Sequence, residues 1–316
     1  MGINSAELLF IKSVKDGIPN RDPLNDSNAR RIFGEEDGRI SLSDVSIKRD
    51  VRDYVMAKYP DGGPDGHNFI YVREERTDEG KLLGRGSLAT KIKERSGIKA
   101  SSMQEVLTSA AFDVRTFGVV YSVSKETFKL TGPVQFGWAH SMHPVETQYV
   151  QGTVVMPSKD ITPAAEGKEA EGLGQGTIWT TYLVPFAVFA MPGIINANIA
   201  RETGMKEEDV ELLLEGLWNG TRLRQARGRG IQQPLFLLHI EYKDPMYRIG
   251  YLEESVRLSV ENGTGIPTKL EELKINVTNL AKLLVDNKEK IDRVRYWLDP
   301  RIAVIGELKG EQCDEW

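Results

Sequence analysis

Apolar and polar positions along the chain predict strands and helices that follow one another in irregular order. Residues 6–14 (AELLFIKSV) are mostly apolar and predict a first strand. Ser43 is a good helix N-cap, and Asp44 beside it suits the positive end of the helix dipole. This helix is expected to extend to residue 58, because Pro60 and the glycines after it end it. Its apolar stripe follows helical spacing and consists of Ile47, Val51, Tyr54 and Val55.

Similar patterns predict the later elements. Strands are expected over 68–73, 114–122, 133–140, 178–191, 234–242 and 301–307. Helices are expected over 102–112, 206–218 and 269–297. The polar segments 15–41 and 74–100 are interpreted as connections, and 157–176, which has no aromatic residue, as a mobile excursion. Because the elements do not alternate as in a doubly wound sheet, the pattern favours a mixed α+β fold.

Composition narrows the class of protein without assigning a function. The 316 residues are 40% apolar and 28% charged, which is ordinary for a soluble protein of one large domain or two smaller ones. The longest nearly apolar run, 182–195, contains two prolines and is too short to cross a bilayer. The first residues show no secretion signal, and the single Cys313 excludes an internal disulfide, so a cytoplasmic protein is expected.

The net charge of −5 gives no overall sign of nucleic-acid binding, so any such function has to come from local groups of cations. Lys48, Arg49 and Arg52 lie within an arc of about 100° on the first predicted helix. Such a strip suits a phosphate backbone, because arginine offers paired donors. The alternative is a solvated helix face whose charge is balanced by Asp50 and Asp53.

Two further segments concentrate cations. The segment from Trp218 to Ile231 (WNGTRLRQARGRGI) has no acidic residue, and its glycines allow the backbone to approach an anion closely. Its arginines are Arg222, Arg224, Arg227 and Arg229. The loop 15–41 carries side chains that suit single-stranded nucleic acid, namely Asn20, Arg21, Asn25, Asn28, Arg30, Arg31 and Phe33. Both segments are also compatible with ordinary solvent-facing loops.

Catalytic and metal-binding patterns are weak throughout the sequence. It contains no phosphate-binding loop, no strand-linked G-x-G-x-x-G, no H-E-x-x-H and no G-x-S-x-G. His140, His143 and Glu146 lie close together, but Pro144 interrupts them, and packing at a strand end is the favoured explanation. Cys313 lies in an acidic segment, which disfavours a reactive thiolate.

Several segments, in this order, are similar to one protein family. They are DGRISLSDVSIKRDVRDYV (37–55), AFDVRTFGVVYS (111–122), LTGPVQFGWAHSMHPVE (130–146) and LLLEGLWNGTRLRQARG (212–228). Together they resemble the backbone subunit of type I CRISPR surveillance complexes (Cascade), the Cas-seven family. The subtype I-B branch is the most similar, and subtype I-C is close to it. The resemblance covers most of the chain but is weak over 74–100, 157–176 and 267–316.

The resemblance implies a fold and a set of partners. The fold is a modified RNA-recognition-motif (ferredoxin-like) palm in a single domain, 1–316, with the long loop 15–41, fingers at 60–110 and a candidate thumb at 150–178. Several copies would wrap head to tail along one CRISPR RNA, grip its phosphates and leave its bases free to pair with target DNA. The implied partners are CRISPR RNA, target DNA, other copies of the chain and other Cascade subunits. No cofactor, metal or membrane is implied.

The resemblance also implies particular RNA contacts. The family's gripping helix corresponds to Ser46, Lys48, Arg49 and Arg52, and its first long loop corresponds to 20–31. The G-P-V-Q-F turn would bring Gln135, Phe136 and Trp138 near the RNA. No catalysis is expected in the type I branch. The alternative is a metal-dependent ribonuclease that cuts target RNA with a first-loop aspartate, as related type III subunits do, and Asp22 and Asp26 lie in that loop.

Overall fold

A computed structural model describes residues 2–25, 27–123, 126–154, 178–224, 226, 228–261 and 265–316. The helices are α1 (Asp44–Lys58), α2 (Arg85–Ser96), α3 (Met103–Ala110), α4 (Phe112–Phe117), α5 (Ala197–Thr203), α6 (Glu207–Leu223) and α7 (Thr278–Asp286). The strands are β1 (Ala6–Lys15), β2 (Ser41–Leu42), β3 (Gly118–Val123), β4 (Glu126–Thr131), β5 (Val134–Phe136), β6 (Ala139–Ser141), β7 (Gln148–Thr153), β8 (Ile178–Leu183), β9 (Phe186–Ile195), β10 (Ile231–Tyr242), β11 (Arg257–Val260), β12 (Leu273–Asn276), β13 (Ile291–Leu298), β14 (Ala303–Ile305) and β15 (Glu311–Gln312). The predicted mixed α+β fold is confirmed.

The central strand of the main sheet is β1. The strands follow the order β15–β13–β10–β1–β9–β6–β2, and β5 also pairs with β9. β1 is antiparallel to both neighbours, and Leu9 lies opposite Pro192 of β9 and Leu238 of β10. When the short β2, the helices α2 to α5 and the separate hairpins β3–β4 and β7–β8 are left aside, the core elements follow one another as β1, α1, β5 with β6, β9, α6 and β10. The core therefore has β-α-β-β-α-β order.

Alternate residues of β1 bury opposite faces of this sheet. Leu8 and Phe10 belong to a core shared with α1 and α6, which includes Val51 and Leu213. Leu9 and its alternates on β1 face a second core, in which β11, β12, β14 and α7 cover the other side. Both faces of the main sheet are thus covered by the chain itself.

A third core joins α2, α3, α4 and the β3–β4 hairpin. Two buried charges of α4 connect this unit to the rest of the chain. Asp113 accepts hydrogen bonds from the backbone nitrogens of Tyr71 and Val72 and from Arg52 Nε of α1. Arg115 donates to both carboxylate oxygens of Asp209 at the start of α6, at 3.1 and 2.7 Å.

Several predicted elements differ from the structure. Residues 68–73 form no strand, because their only ladder contact is an isolated bridge between Phe69 and Ala111. The segment 74–100 contains α2, whose short apolar stripe lies among polar residues and was overlooked. The predicted strand 114–122 begins as α4, and only its later part continues as β3.

The two longest elements predicted in the C-terminal half are each divided into shorter elements in the structure. The expected helix 269–297 is β12, α7 and β13, because apolar residues alternate in the flanking parts and follow helical spacing only across 278–286. The expected strand 178–191 is divided into β8 and β9, and Pro185, which lacks a backbone N–H, lies at the division. The predicted excursion 157–176 lies outside the described residues.

Candidate nucleic-acid interface

An open cleft of about 760 Å³ lies where β1 ends, α6 ends and β10 begins. It is lined by Lys15, Asp16, Arg222, Arg224, Ala226, Gly228, Gly230, Ile231 and Gln232. Three of these residues are cations, and they come from two elements that are distant in sequence. The cleft therefore gives this acidic chain a local basic surface.

Glycines allow the backbone segments around the cleft to lie in contact. Gly228 and Gly230 have φ angles of +74° and +71°, in the left-handed region that favours glycine. A Cβ atom on Gly17 would overlap the backbone of Gly230. Arg21 of the long loop reaches the same place, where its Nη2 donates to Thr181 Oγ1 at 2.7 Å and to the carbonyl oxygen of Gly228 at 3.3 Å. The long loop and the Arg-Gly segment are thus parts of one surface.

A buried ionic network supports the cleft from below. Lys12 Nζ of β1 lies 3.2 Å from Asp50 Oδ2 of α1 and 2.9 Å from Gln232 Oε1. Arg224 Nη1 lies 2.8 Å from the other oxygen, Asp50 Oδ1. Burial lowers the pKa of Lys12, and the Asp50 charge opposes that shift. Asp50, of which 1% is exposed, thereby holds one cation beneath the cleft and another in its wall.

Close packing between α1 and α6 brings Arg224 to this carboxylate. Gly216 and Gly220 of α6 face α1, and a Cβ atom on Gly220 would overlap the backbone carbonyl of Asp50. Arg224 follows Gly220 by about one helical turn. The contact of the two helices therefore determines where the guanidinium lies.

The cations predicted on α1 point in different directions. Arg49 is the exposed one, and its Nε donates to Asp53 Oδ1 at 2.6 Å. Lys48 Nζ lies 2.8 Å from Asp44 Oδ2 and 3.2 Å from Gln135 Oε1. Arg49 therefore remains an accessible candidate near the cleft, whereas Lys48 is buried beside the G-P-V-Q-F turn.

Arg52 and Ser46 are committed to internal contacts. Arg52 Nε pairs with buried Asp113 at 2.9 Å, so this cation links α1 to the unit of α2, α3 and α4. Ser46 is buried and its hydroxyl donates to the carbonyl oxygen of Pro19 at 3.5 Å. The common arc on the helix wheel therefore does not correspond to a common surface.

Of the residues predicted in the long loop, some make internal contacts and others reach the surface of the cleft. Asn20 Oδ1 accepts from the backbone nitrogen of Ser43 at 2.9 Å, so the loop caps the start of α1. Arg31 donates to the backbone carbonyl oxygens of Gly38 and Val145 at 3.0 and 2.8 Å. These two side chains hold the loop in place, whereas Arg21 reaches the cleft.

An exposed group of rings and guanidinium groups lies at β6 and the long loop. The Arg30 guanidinium lies 5.9 Å from the ring centroid of Trp138, which is 38% exposed. Arg39 lies over Phe33 at 4.2 Å, and Phe33 packs on His140 with centroids 4.6 Å apart. Such surfaces stack on nucleobases, so this group is a second candidate contact.

Fewer of the side chains predicted at the G-P-V-Q-F turn are exposed than the sequence indicates. Phe136 is buried against Gly193, and Gln135 Nε2 donates to the carbonyl oxygen of Gly132 at 2.9 Å. Trp138 is the exposed side chain of the three predicted here. Arg227 lies outside the described residues.

Comparison with known protein families decides which family this chain belongs to. The family model described as CRISPR-associated protein Cas7 matches residues 4–278. The chain belongs to the Cas7 family. A Cas7 protein of Haloferax volcanii is 25% identical over 341 aligned positions, which cover 99% of this chain and 93% of that relative.

Solved structures support the fold of this Cas7-family chain. One chain of a CRISPR RNA-guided surveillance complex in a pre-nicking state superposes with a TM-score of 0.58 at 16% identity, covering 99% of this chain and 96% of that one. A chain of another CRISPR RNA-guided surveillance complex gives a TM-score of 0.50 at 13% identity, covering 99% and 95%. The Cas7 family match includes α1, the long loop and the cleft.

The sequence analysis did not identify two cations at the Cas7-family cleft, one buried beneath it and one in its lining. Lys12 is a single charge inside an apolar strand, which is itself a sign of a buried ion pair. Lys15 ends the same strand at the cleft. Arg229, one of the four arginines of the predicted basic segment, donates to the carbonyl oxygen of Pro19 and lies close to Arg224.

Of the two aspartates behind the ribonuclease alternative, the structure describes only Asp22. Asp22 Oδ1 accepts from the backbone nitrogen of Leu24 at 3.0 Å and so closes a turn, and Asp26 lies outside the described residues. His140 Nδ1 bonds Ser41 Oγ, and His143 Nε2 accepts from the backbone nitrogen of Val188. No group of three or more metal-binding side chains occurs in the described part of the chain. Nor does any described helix have the length and apolar character needed to cross a bilayer.

Proposed function

We propose that this Cas7-family chain is the non-catalytic backbone subunit of a type I CRISPR RNA-guided surveillance complex. Several copies bind head to tail along one CRISPR RNA, hold its phosphates and present its bases to target DNA. Other Cascade subunits complete the assembly. A head-to-tail contact uses different surfaces on the two copies, so it generates an open filament that can follow a linear guide.

The observation that carries the proposal is the local concentration of cations at the cleft. Lys15, Arg21, Arg222 and Arg224 meet there from three parts of an acidic chain. Exposed Arg49 extends the same basic surface along α1, because it shares Asp53 with Arg224. A few phosphate contacts in each copy are sufficient, since affinity accumulates when many linked sites bind one strand.

The β-α-β-β-α-β core supports assigning the palm to the RNA-recognition-motif type. In that assignment, the unit built from α2, α3, α4 and the β3–β4 hairpin forms the fingers; its core extends past the predicted boundary at residue 110, to Leu130. The thumb is assigned to 150–178, most of which lies outside the described residues. The ring group around Trp138 is the proposed surface for an unpaired base.

Co-purification with RNA tests the proposal. The chain is expressed with a CRISPR RNA, and the purified particle is expected to show nucleic-acid absorbance and a mass of several copies on one RNA. The double variant Arg49→Gln, Arg222→Gln removes two exposed cations near the cleft. For a single-stranded RNA, the slope of log affinity against log salt should fall by about 0.7 for each arginine–phosphate pair that the substitutions remove.

A matched control removes two exposed arginines elsewhere. Arg257 of β11 and Arg293 of β13 are both exposed, so Arg257→Gln, Arg293→Gln changes the net charge equally. The control variant should keep the wild-type salt slope. Equal slopes for the cleft variant and wild type would overturn the assignment of the cleft to RNA.

A further inference from the structure

Asp53 of α1 lies between two cations of the basic surface. Its Oδ1 accepts from Arg49 Nε at 2.6 Å, and its Oδ2 lies 3.2 Å from Arg224 Nη1. One third of the Asp53 side chain is exposed. The Asp53 carboxylate therefore accepts hydrogen bonds from guanidinium N–H groups that a bound phosphate would also use.

Asp50, one turn earlier on α1, has a different environment. It is almost fully buried, and it pairs with Lys12 as well as with Arg224. Removing Asp50 would leave Lys12 as an uncompensated buried charge, so this carboxylate is needed for the fold. Asp53 has no such buried partner, since Arg49 is exposed and Arg224 keeps its bond to Asp50. The fold does not require Asp53 in the way that it requires Asp50.

We propose that Asp53 is a built-in competitor of phosphate that lowers the affinity of each copy for RNA. This inference rests on the proposed function, because it assumes that the cleft holds RNA. A phosphate that binds Arg49 or Arg224 has to displace the Asp53 carboxylate or lie beside its negative charge. A single copy then binds stray RNA weakly, while copies assembled along one strand still accumulate affinity.

The variant Asp53→Asn tests this competition. The amide keeps nearly the same size and can still accept a hydrogen bond, but it carries no charge. Binding of one chain to a labelled single-stranded RNA, followed by fluorescence anisotropy at increasing salt, is expected to tighten about three- to tenfold at low salt. The two ion pairs that the substitution removes, an exposed one with Arg49 and a partly buried one with Arg224, correspond to a change of about this size. The salt slope should steepen by up to about 0.7, as for one additional phosphate bound.

A charge-matched control separates this effect from a general change in net charge. Glu271 is an exposed carboxylate paired with Lys269, and its short helical turn packs with the core on the opposite face of the main sheet. Glu271→Gln should leave RNA affinity and salt slope unchanged. If Glu271→Gln tightens binding as much as Asp53→Asn does, the competition at the cleft is refuted.

The remaining outcomes distinguish the inference from the proposed function. If the double variant Arg49→Gln, Arg222→Gln weakens RNA binding but Asp53→Asn has no effect, the cleft holds RNA and the role of Asp53 is refuted. If neither variant changes binding, both the cleft assignment and the role of Asp53 fall. If Asp53→Asn tightens binding and the added Arg49→Gln change reverses the gain, the competition is supported directly.

Discussion

His239 of β10 is a fully buried histidine beside a permanent cation. Two per cent of its surface is exposed, and its Nδ1 accepts a hydrogen bond from Arg295 Nη2 of β13 at 3.1 Å. Arg295 also pairs with Glu211 of α6 at 2.7 Å, and Glu241 Oε1 lies 3.7 Å from His239 Nδ1. Burial, and then the charges of Arg295 and Arg293, lower the pKa of His239 from 6.5 to about 3. The folded protein therefore holds a neutral imidazole.

This shift predicts a loss of stability in mild acid. Between the two pKa values, the unfolded chain binds a proton at His239 and the folded chain does not, so the free energy of unfolding falls as the pH falls below 6.5. At about pH 5, roughly 1.5 pH units below the pKa of the unfolded chain, proton binding at His239 stabilises the unfolded state by about 2 kcal/mol. That is a large share of the stability of an ordinary domain.

Urea unfolding at about pH 7.5 and about pH 5 measures the effect. Other carboxyl groups also titrate in this range, so the quantity to compare is the change for wild type against that for His239→Asn, whose amide oxygen replaces Nδ1 as the acceptor. Between these two pH values, the free energy of unfolding should fall by about 2 kcal/mol more for wild type than for the variant. Equal losses would refute the argument, because His239 would then titrate alike in both states.

Three further predictions follow from the buried contacts and the turn at Asp22. Asp113→Asn removes the buried carboxylate that holds the partly buried Arg52 and two backbone nitrogens, and the free energy of unfolding should fall by about 3–5 kcal/mol in urea. Gly220→Ala places a methyl group against the Asp50 carbonyl and should cost about 1–3 kcal/mol, whereas Gly2→Ala, at an exposed glycine that meets no atom within 4 Å, should change stability little. The assembled complex should not cleave complementary labelled RNA or DNA in magnesium or manganese. Regularly spaced cleavage that disappears in Asp22→Ala would instead support the ribonuclease alternative.

The longest periodic segments were predictable from the sequence alone. β1, α1, α6 and β10 all lie close to their predicted positions, because each has a long run of apolar residues at one period. The predictions failed where the period changes within a few residues. α2 has only a short stripe, and 269–297 changes from strand spacing to helical spacing and back.

The site was predictable only as a set of charges. Clustered arginines identified the segment after α6, and the structure brings Arg222 and Arg224 to the cleft. Partners across the fold could not be deduced, because they depend on the contact between α1 and α6. The sequence suggests that Asp50 and Asp53 are balancing charges on one solvated face. In the structure, Asp50 is buried and paired with two cations, whereas Asp53 is partly exposed between two cations.

The faces of α1 determine which substitutions can test RNA binding. Its apolar stripe faces the core, Arg52 faces the buried Asp113, and Asp50 and Asp53 face the end of α6. Reversing the charge of all the predicted cations of α1 would place a carboxylate beside Asp113, so loss of the fold would imitate loss of RNA binding. Arg49 avoids this problem, because its side chain is exposed and its one described ion pair, with Asp53, contributes little to stability. A change in RNA affinity on replacing Arg49 is therefore interpretable as a change at the interface itself.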